Sequence, residues 1–419
     1  MRPRSTVSIR MPISLISNPT ARGLVVLYTS ALFAGTWAMV LPAIPLLGEY
    51  FGISPGTAAQ IVTAFAVGRF VGLPISGVVL DRLGTRAALV SGPMISAVAA
   101  FVAAFSPWFG AILILSVAMG VGDSLWTFGR EMAGIDLARQ DQRGRVLSGF
   151  HGVHNIGLTV GPLLGGLLAE AIGFRAVFIA FGACAAVAVP LGFSGHEAPP
   201  PRGVEPIPAG ARGRISLLQR LQRLSDLFKQ IQPGWRATYV VIVLATLTSF
   251  MHRTTLQSIL PLYAGAELGF TPSEIGLLFS IMGIFVFAMI LPAGFIIDKV
   301  GRKWATVPST GIPALVFIFL PFSRSFFELA VLLSFMGVAN GLSLGSLATS
   351  TYDVVPARAR GRLQAFRRTV AETGAVGAPL VGGFLADAFN PGVPFLVYAP
   401  LLVLSAVLLA VFGRETLKR

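Results

Sequence analysis

Gly77-Val-Val-Leu-Asp81-Arg82-Leu-Gly84-Thr-Arg86 is repeated 217 residues later as Gly294-Phe-Ile-Ile-Asp298-Lys299-Val-Gly301-Arg302-Lys303. Both copies have the pattern Gly-x-x-x-Asp-[Arg/Lys]-x-Gly, and both end in basic residues. Each copy follows a long apolar run, and the separation is about half of the 419-residue chain. A charged turn that occurs once in each half predicts that the chain consists of two copies of one unit.

The composition is that of a membrane protein. Hydrophobic residues make up 54% of the chain and charged residues 12%, whereas a soluble domain carries about 25% charged residues. The mean hydropathy is +0.77, and a bilayer accommodates this apolar surface where water does not. The net charge of +14 does not indicate nucleic-acid binding, because the basic residues lie in short gaps between apolar runs. Cys184 is the only cysteine, which excludes an internal disulfide and a thiolate metal site.

Twelve apolar runs have the length that crosses a bilayer, roughly 18–25 residues. The first run follows an arginine-rich N-terminus and is too long for the core of a signal peptide, so we predict an uncleaved first span. The predicted spans lie near residues 24–47, 58–80, 87–106, 109–134, 146–169, 174–194, 237–262, 273–297, 304–322, 326–350, 364–387 and 394–412.

The basic residues predict the orientation of these spans. The loops on one side contain only Arg175 and Arg324, while nearly all other Lys and Arg residues lie on the other side. The positive-inside rule places the basic side in the cytoplasm. We therefore predict a multi-pass protein of the cell (inner) membrane with both termini cytoplasmic. The basic side comprises the N-terminus, residues 82–86, 139–145, 202–236, 299–303 and 358–368, and the C-terminal tail.

A linker at residues 195–236 separates two six-span units, residues 1–194 and 237–419. Its first part, Ala198 to Pro206, is rich in proline. From Ile215 to Ile231 apolar residues recur at helical spacing with basic residues between them. This pattern indicates an amphipathic helix on the inner membrane surface, and a solvated linker helix is an equally good interpretation.

The repeat extends through both units at the same offset of 217 residues. Because both units have six spans, they insert in the same direction, which makes a parallel repeat about an axis along the membrane normal. The element Asp136-x6-Arg143 matches Asp353-x6-Arg360, the group Gly157, Pro162, Gly165 and Gly166 matches Gly374, Pro379, Gly382 and Gly383, and Glu170 matches Asp387.

These repeated residues resemble the major facilitator superfamily of secondary transporters over nearly the whole chain. The turn at 77–86 is similar to the most diagnostic motif of the family, with Thr85 in place of a basic residue. The run Gly157-x-x-x-Gly161-Pro162-x-x-Gly165-Gly166 resembles the signature of the drug–proton antiporter branch. Ser116 stands where those antiporters carry an arginine, and Asp123 and Arg130 are the candidates to replace it. The resemblance implies an all-α polytopic membrane protein with twelve transmembrane helices in two pseudo-symmetric six-helix bundles.

The repeated turns place an acid, Asp81 or Asp298, at the end of a helix, where backbone carbonyls already carry negative partial charge. Such an acid needs a cation or the N-terminus of another helix. We predict a charged gate that is closed when the cavity faces outward and open when it faces inward. The alternative, that these turns only set topology, explains the basic residues but not the acids. The predicted gate comprises Gly77, Asp81, Arg82, Gly84, Arg86, Asp136, Arg143, Gly294, Asp298, Gly301, Arg302, Asp353 and Arg360.

Two interpretations fit the glycine run of the fifth span. Glycines spaced by four residues allow close helix packing, and Pro162 removes a helical hydrogen bond and permits a bend that would seal the pathway. The residues concerned are Gly157, Gly161, Pro162, Gly165 and Gly166.

Ionisable residues within spans are costly in lipid and indicate function or pairing. Arg69 and Glu372 lie near the middle of spans 2 and 11, which face each other in the family, so we predict an Arg69–Glu372 pair or an Arg69–Asp123 pair. None of the three has an ionisable counterpart in the other half, and a purely structural salt bridge is the alternative. The candidate substrate and proton pathway comprises Arg69, Asp123, Arg130, Glu131, His151, His154, His252, Arg253 and Glu372.

The sequence therefore predicts a secondary transporter that works by alternating access, with proton-coupled efflux of amphipathic or drug-like small molecules. The alternative is transport of an organic anion, organophosphate or anionic lipid, because Arg69, Arg130, His252 and Arg253 give the pathway positive character. An enzyme or a non-transporting sensor is not expected. We predict a monomer with a small-molecule substrate, protons and membrane lipids as partners. We predict no metal, cofactor or nucleic acid, and the chain has no nucleotide-binding loop.

Overall fold

The computed structural model describes residues 19–138, 143–193 and 227–417, and within these ranges the chain is helical with no β-strand. The predicted amphipathic helix falls largely on residues outside these ranges, as do Arg139 and the side chain of Arg143. The helices are described below as the N-half, α1–α6, and the C-half, α7–α12.

In the N-half, one helical run of 50 residues, Pro55–Ala104, contains a single non-helical residue, Gly84. A run of that length measures about 75 Å, more than twice the thickness of a bilayer core, so it is two spans joined at Gly84. The helices are α1 (Ala21–Phe51), α2 (55–83), α3 (85–104), α4 (Phe109–Leu137), α5 (Arg143–Ala171) and α6 (Phe174–Phe193).

In the C-half, two helices are interrupted. The eighth bends by 40° after Ala288, and the tenth breaks at Gly345, whose φ is +81°. The helices are α7 (Pro233–Leu262), α8 (Pro272–Ala288, continued as Ile290–Val300), α9 (Arg302–Phe319), α10 (Phe326–Ser343, continued as Ser346–Val354), α11 (Arg360–Ala388) and α12 (Val393–Phe412).

These helices confirm the predicted fold class. Ten helices in the described ranges are long and apolar enough to cross a membrane, and bent α8 adds an eleventh. Dividing the 50-residue run at Gly84 gives the twelve spans that the sequence predicts. The sequence did not predict the bend of α8 or the break in α10.

The two faces of the protein differ in how the halves meet. We call the face at which α2 ends and α3 begins the linker face, because residues 227–232 lead into α7 there, and the other the opposite face. Near the opposite face one cluster of buried apolar side chains includes Leu41 and Ile61 of the N-half with Leu260 and Phe395 of the C-half. Nearer the linker face each half has its own clusters. Among the described residues, the halves therefore share an apolar core only toward the opposite face.

The repeated glycines of the two turns permit their backbone conformation. Gly84 has φ +84° and Gly301 has φ +151°, values that residues with a Cβ rarely adopt. After Gly301, helix α9 begins with its first N–H groups directed at the C-terminal tail. The Glu415 carboxylate accepts hydrogen bonds from the N–H groups of Arg302 and Lys303 at 2.9 and 3.1 Å. The tail thereby caps the linker-face end of α9.

Candidate functional site

Four charged side chains from both halves meet between α2, α4 and α11. Arg69 Nε lies 3.4 Å from Asp123 Oδ2, and Arg368 Nε lies 3.8 Å from Glu372 Oε1. Asp123 and Glu372 are 8% and 3% exposed. All four line one small cavity of about 10 Å³. Of the two pairs predicted for Arg69, the structure has the pair with Asp123, and we call these four residues the charge cluster.

Arg368 is the member of the charge cluster that the sequence-based prediction missed. Arg368 lies both in the basic stretch 358–368 and in the predicted span 364–387, and it is counted only among the basic residues that set the orientation; the structure places it in α11, one turn before Glu372. Its guanidinium also lies 5.6 Å from the centre of the Phe128 ring of α4, so it contacts the N-half through a cation–π interaction. The i,i+4 spacing to Glu372 was the available signal.

Residues at the linker-face side of the charge cluster form a looser group. Arg130 is 3% exposed, and its Nε and Nη1 atoms have no hydrogen-bond partner among the described residues. Glu131 Oε1 lies 3.9 Å from His151 Nε2, and His151 is exposed. His154 Nδ1 lies 3.4 Å from the Ala31 carbonyl oxygen. These four predicted pathway residues thus belong to α4 and α5 but do not line the cavity of the charge cluster.

A second cavity, of about 120 Å³, lies between the halves near α1, α5, α7, α8 and α10. We call it the central cavity, and among the described residues that line it Arg253 is the only charged one. Its polar and apolar lining residues are Ala38, Leu41, Asn155, Leu158, Thr159, Pro162, Arg253, Leu256, Gln257, Phe279, Met282, Gly283, Val286, Asn340 and Leu344.

Arg253 has hydrogen bonds but no counter-ion among the residues that the structure describes. Its guanidinium donates to the Ser343 hydroxyl and the Asn340 carbonyl oxygen, and its Nε atom is buried without a partner in the same part of the chain. The neighbouring His252 is only 1% exposed, and both its ring nitrogens lie within hydrogen-bonding distance of C-half atoms, Thr248 O and Asn340 Oδ1. His252 therefore supports the cavity wall through Asn340 instead of lining the cavity.

The two cavities occupy equivalent places in the repeat. At the offset of 217 residues, Arg69 corresponds to Val286, Asp123 to Asn340 and Glu372 to Asn155. The first three line the charge-cluster cavity, and their three counterparts line the central cavity. Equivalent positions of the two halves thus line two cavities, one with four charged side chains and one with Arg253 as its single charged side chain among the described residues.

The glycine run of α5 is a packing surface. Gly157 lies against Leu32 and Gly35 of α1, and Gly165 lies against Met39. A Cβ at either glycine would overlap the α1 backbone. Gly161 makes a looser contact with α1, and Pro162 contacts Gly276 of α8 through its carbonyl oxygen. Helix α5 continues without interruption across Pro162, so close packing accounts for these residues, and a sealing bend stays a prediction.

At the linker face Asp81, Asp298, Arg302 and Arg360 form no ion pair or side-chain hydrogen bond with the other half among the described side chains. Asp81 and Asp298 have neither a hydrogen bond nor an ion pair there, and Gly77 and Gly294 face open space. Arg302 instead forms an ion pair with Asp353 inside the C-half. Arg360 lies over the Tyr352 ring, also in the C-half. Among the described residues these side chains therefore leave the linker face open, and the charged gate stays a prediction, because the side chain of Arg143 lies outside them.

At the opposite face, hydrogen bonds join the halves. Asp387, at the end of α11, accepts from the Ser54 hydroxyl at 2.6 Å and from the Gly56 N–H at 2.7 Å. Glu170, at the end of α5, accepts from the Ser273 N–H at 3.2 Å. Every hydrogen bond that joins a described residue of one half to a described residue of the other lies in the part of the helices toward this face. The structure is therefore closed at the opposite face.

Comparison with known proteins gives matches over most of the chain. A family model described as Major Facilitator Superfamily matches residues 26–243 and again 242–419. The multi-drug resistance efflux pump PmrA homolog of Lactococcus lactis is 27% identical over 87% of this chain and 88% of that protein. The multidrug resistance protein MdtG of Dickeya zeae is 24% identical over 92% and 93%.

Solved structures give the same fold at lower identity. A D-xylose-proton symporter is 18% identical, with a TM-score of 0.74 over 94% of this chain and 98% of that chain. An inward open conformation of the xylose transporter XylE from E. coli is also 18% identical, with a TM-score of 0.73 over 95% and 97%. At this identity the likeness supports the fold and not the substrate.

Proposed function

The chain belongs to the major facilitator superfamily, and from that membership we propose that it exports amphipathic, drug-like small molecules in exchange for protons. It is a multi-pass membrane transporter and not an enzyme. The relatives described as multidrug efflux or resistance proteins support a drug-like substrate. We further propose that the linker face is cytoplasmic and that the protein lies in the inner membrane, because the basic loops lie at that face. A single chain suffices, because both cavities lie between its own halves.

The charge cluster is the observation that carries this proposal. Two carboxylates that are less than 10% exposed face two guanidinium groups, and ionisable residues in a membrane are costly, pair with one another and mark functional sites. Arg69 and Asp123 belong to the N-half, whereas Arg368 and Glu372 belong to the C-half. A proton that binds here changes the attraction between the two halves.

In this mechanism, protonation of Asp123 removes the charge that holds Arg69, and protonation of Glu372 removes the charge that holds Arg368. Each freed guanidinium can then pair with another acceptor, such as the carboxylate of the other half that remains ionised. Proton occupancy thereby biases the equilibrium between the two arrangements of the halves. The central cavity, which has no carboxylate among its described lining residues, is left to bind the substrate.

Transport in reconstituted vesicles tests the proton step. We expect Asp123→Asn and Glu372→Gln each to lower ethidium transport driven by a pH gradient at least about tenfold, because one acid of the coupled pair is lost. Exchange of ethidium across the membrane without a gradient should persist. The matched control is Glu49→Gln, which neutralises an exposed acid outside both cavities. Normal gradient-driven transport by the double variant would contradict proton coupling at this site.

Arg253 favours a second candidate function, transport of an organic anion, organophosphate or anionic lipid. A guanidinium that lies in the membrane without a counter-ion among the described residues is costly, and an anionic substrate group supplies the missing charge. The same charge repels a cation that enters the central cavity. The observation therefore favours substrates with a carboxylate or phosphate group.

Two fluorescent probes separate the candidates. Arg253→Ala should abolish transport of carboxyfluorescein while sparing ethidium if the substrate is anionic, and Arg253→Lys should retain part of the anion transport. The exposed Arg175, which donates to the Tyr50 hydroxyl at the opposite face, provides the control Arg175→Ala. Unchanged transport of both probes by Arg253→Ala would remove Arg253 from the substrate site.

A further inference from the structure

The opposite face contains two similar short sequences, at equivalent positions of the two halves. Helix α5 ends with Gly166-Leu-Leu-Ala-Glu170, and helix α11 ends with Gly383-Phe-Leu-Ala-Asp387. In both copies a glycine precedes the acid by four residues, so the two lie on the same side of the helix. Neither acid belongs to the charge cluster or to the repeated turns of the linker face.

Each copy contacts the start of a helix in the other half. Glu170 accepts from the N–H of Ser273, the second residue of α8, and Asp387 accepts from the N–H of Gly56, the second residue of α2. Gly56 and Ser273 are themselves equivalent at the 217-residue offset. The two contacts are thus related by the pseudo-twofold symmetry of the molecule, which makes a chance pairing of exposed side chains a poor explanation.

The glycine of each copy allows the backbones to come together. A Cβ at Gly166 would overlap the carbonyl oxygen of Pro272, the first residue of α8, and a Cβ at Gly383 would overlap the Gln60 side chain and approach the carbonyl oxygen of Gly56. The acid then reaches unpaired N–H groups at a helix N-terminus, where a negative charge is favourable. In each copy the glycine lets the two helix backbones approach closely, and the acid four residues later accepts hydrogen bonds at the same helix–helix contact.

We propose that Glu170 and Asp387 form the gate of the opposite face. The two contacts hold α5 to α8 and α11 to α2 while the linker face is open, and both must break before the opposite face opens. The proposal rests on the proposed function only in requiring that the halves move. Asp387 accepts hydrogen bonds at 2.6 and 2.7 Å, and Glu170 accepts a longer one from the Ser273 N–H at 3.2 Å, so we expect the α11–α2 contact to be the stronger.

Labelling of a cysteine in the central cavity measures the gate directly. Cys184, the single native cysteine, is first replaced by Cys184→Ser, and Val286→Cys then provides a reporter in the cavity lining. A membrane-impermeant maleimide is added from either side of oriented vesicles. We expect the Glu170→Gln/Asp387→Asn double variant to be labelled from the opposite face about fivefold faster and from the linker face more slowly. Asp387→Asn alone should have the larger single effect.

A carboxylate of the same kind serves as the control. Glu328 caps α10 at the same face, but it accepts hydrogen bonds from Arg324 and Ser325 within the C-half. Glu328→Gln removes a cap without touching the contact between the halves, so the labelling rate from each side should not change. Equal effects of Glu328→Gln and Asp387→Asn would overturn the gate, as would an unchanged labelling rate in the double variant.

Loss of folding and failure of the proposed function are distinguishable from failure of the gate. A variant that does not fold shows no cooperative thermal transition and is labelled faster from both sides, whereas an opened gate changes the two labelling rates in opposite directions. Labelling needs neither a proton gradient nor a known substrate. If the labelling rates from the two sides change as expected but no pH-driven transport is found, the gate is supported and the proposed function is not.

Discussion

Acidic side chains lie at helix ends on both faces of the protein, but among the described residues only those at the opposite face accept hydrogen bonds from the other half. Glu170 and Asp387 meet the N-termini of α8 and α2. Asp81 and Asp298 lie near the C-terminal ends of α2 and α8 and have no partner in the described ranges. A negative charge is favourable at a helix N-terminus and unfavourable at a C-terminus. The N-termini of α2 and α8 therefore attract carboxylates of the other half at the closed opposite face. Their C-termini, at the open linker face, are unfavourable places for the carboxylates of Asp81 and Asp298.

The largest expected effect comes from preventing the close approach of the α2 and α11 backbones at the opposite face. In Gly56→Val a side chain would overlap the Gly383 carbonyl oxygen and Asp387, so the opposite face cannot close. We expect transport to fall about tenfold to a hundredfold, equivalent to the roughly 1–3 kcal/mol that overpacking costs. Gly377→Val on α11, where a Cβ meets no atom within 4 Å, is the control and should transport normally. Equal loss in both variants would contradict the explanation.

The turn of the linker face should depend on backbone conformation and not on space. Gly84 has φ +84°, and no atom lies within 4 Å of the position that a Cβ would take there, so Gly84→Ala introduces strain without a clash. We expect the free energy of unfolding to fall by about 1–2 kcal/mol, measured as a lower thermal midpoint in detergent. Gly294→Ala, at a helical position that also faces open space, should leave the midpoint unchanged or slightly higher.

Neutralising one acid at each face should affect thermal stability at the opposite face and transport alone at the linker face. Asp81 makes no hydrogen bond with the residues that this structure describes, so Asp81→Asn should leave its thermal stability unchanged. It should nevertheless slow transport about fivefold if the acid pairs only when the linker face closes. Asp387→Asn should instead lower the stability of the state described here. A fall in thermal midpoint for Asp81→Asn of the same size as for Asp387→Asn would argue against the distinction.

The smallest expected effect concerns the tail at the linker face. Partial burial acts to raise the pKa of the Glu415 carboxyl, but hydrogen bonds from the backbone N–H groups of residues 302, 303, 416 and 417 outweigh it, so the pKa lies below its ordinary value. A lowered pKa means that the cap of α9 stabilises the fold at neutral pH and is lost as the pH falls below the ordinary carboxyl range, about 4–4.5.

Amide hydrogen exchange at the first turn of α9 measures this effect. Protection of Arg302 and Lys303 should decrease on acidification in the unmodified protein. Glu415→Gln should show weaker protection at neutral pH and little further decrease at low pH. A pH dependence that persists in Glu415→Gln would assign the effect to another group.

The fold was predictable because each level of the sequence agrees with the next. Apolar runs of spanning length, basic residues on alternate loops and a constant 217-residue offset all indicate two six-helix bundles. The breaks inside helices were harder to predict from the sequence. Gly345 interrupts α10, yet leucines at 342, 344 and 347 keep this stretch apolar on average, so hydropathy alone does not distinguish a break from a continuous helix.

The site was predictable in its residues and less so in its contacts. The sequence singled out Arg69, Asp123 and Glu372 as buried charges, and the structure brings them together with Arg368. It did not distinguish which acid pairs with Arg69, because the pair depends on the relative position of the two halves. The match of Glu170 with Asp387 was likewise visible, but its helix partners follow from the conformation and not from local sequence.

The correspondence between the charge cluster and the central cavity has a consequence for evolution. Duplication of one six-helix unit produced two copies of the same interhelical position, so one copy was free to diverge while the other kept its role. Under the proposed function, substitutions around Asn155, Val286 and Asn340 would alter which molecules are accepted without disturbing Arg69, Asp123 and Glu372. Selection for a new substrate and selection for proton coupling would then act on separate residues, and the substrate range could broaden while the coupling to protons stays the same.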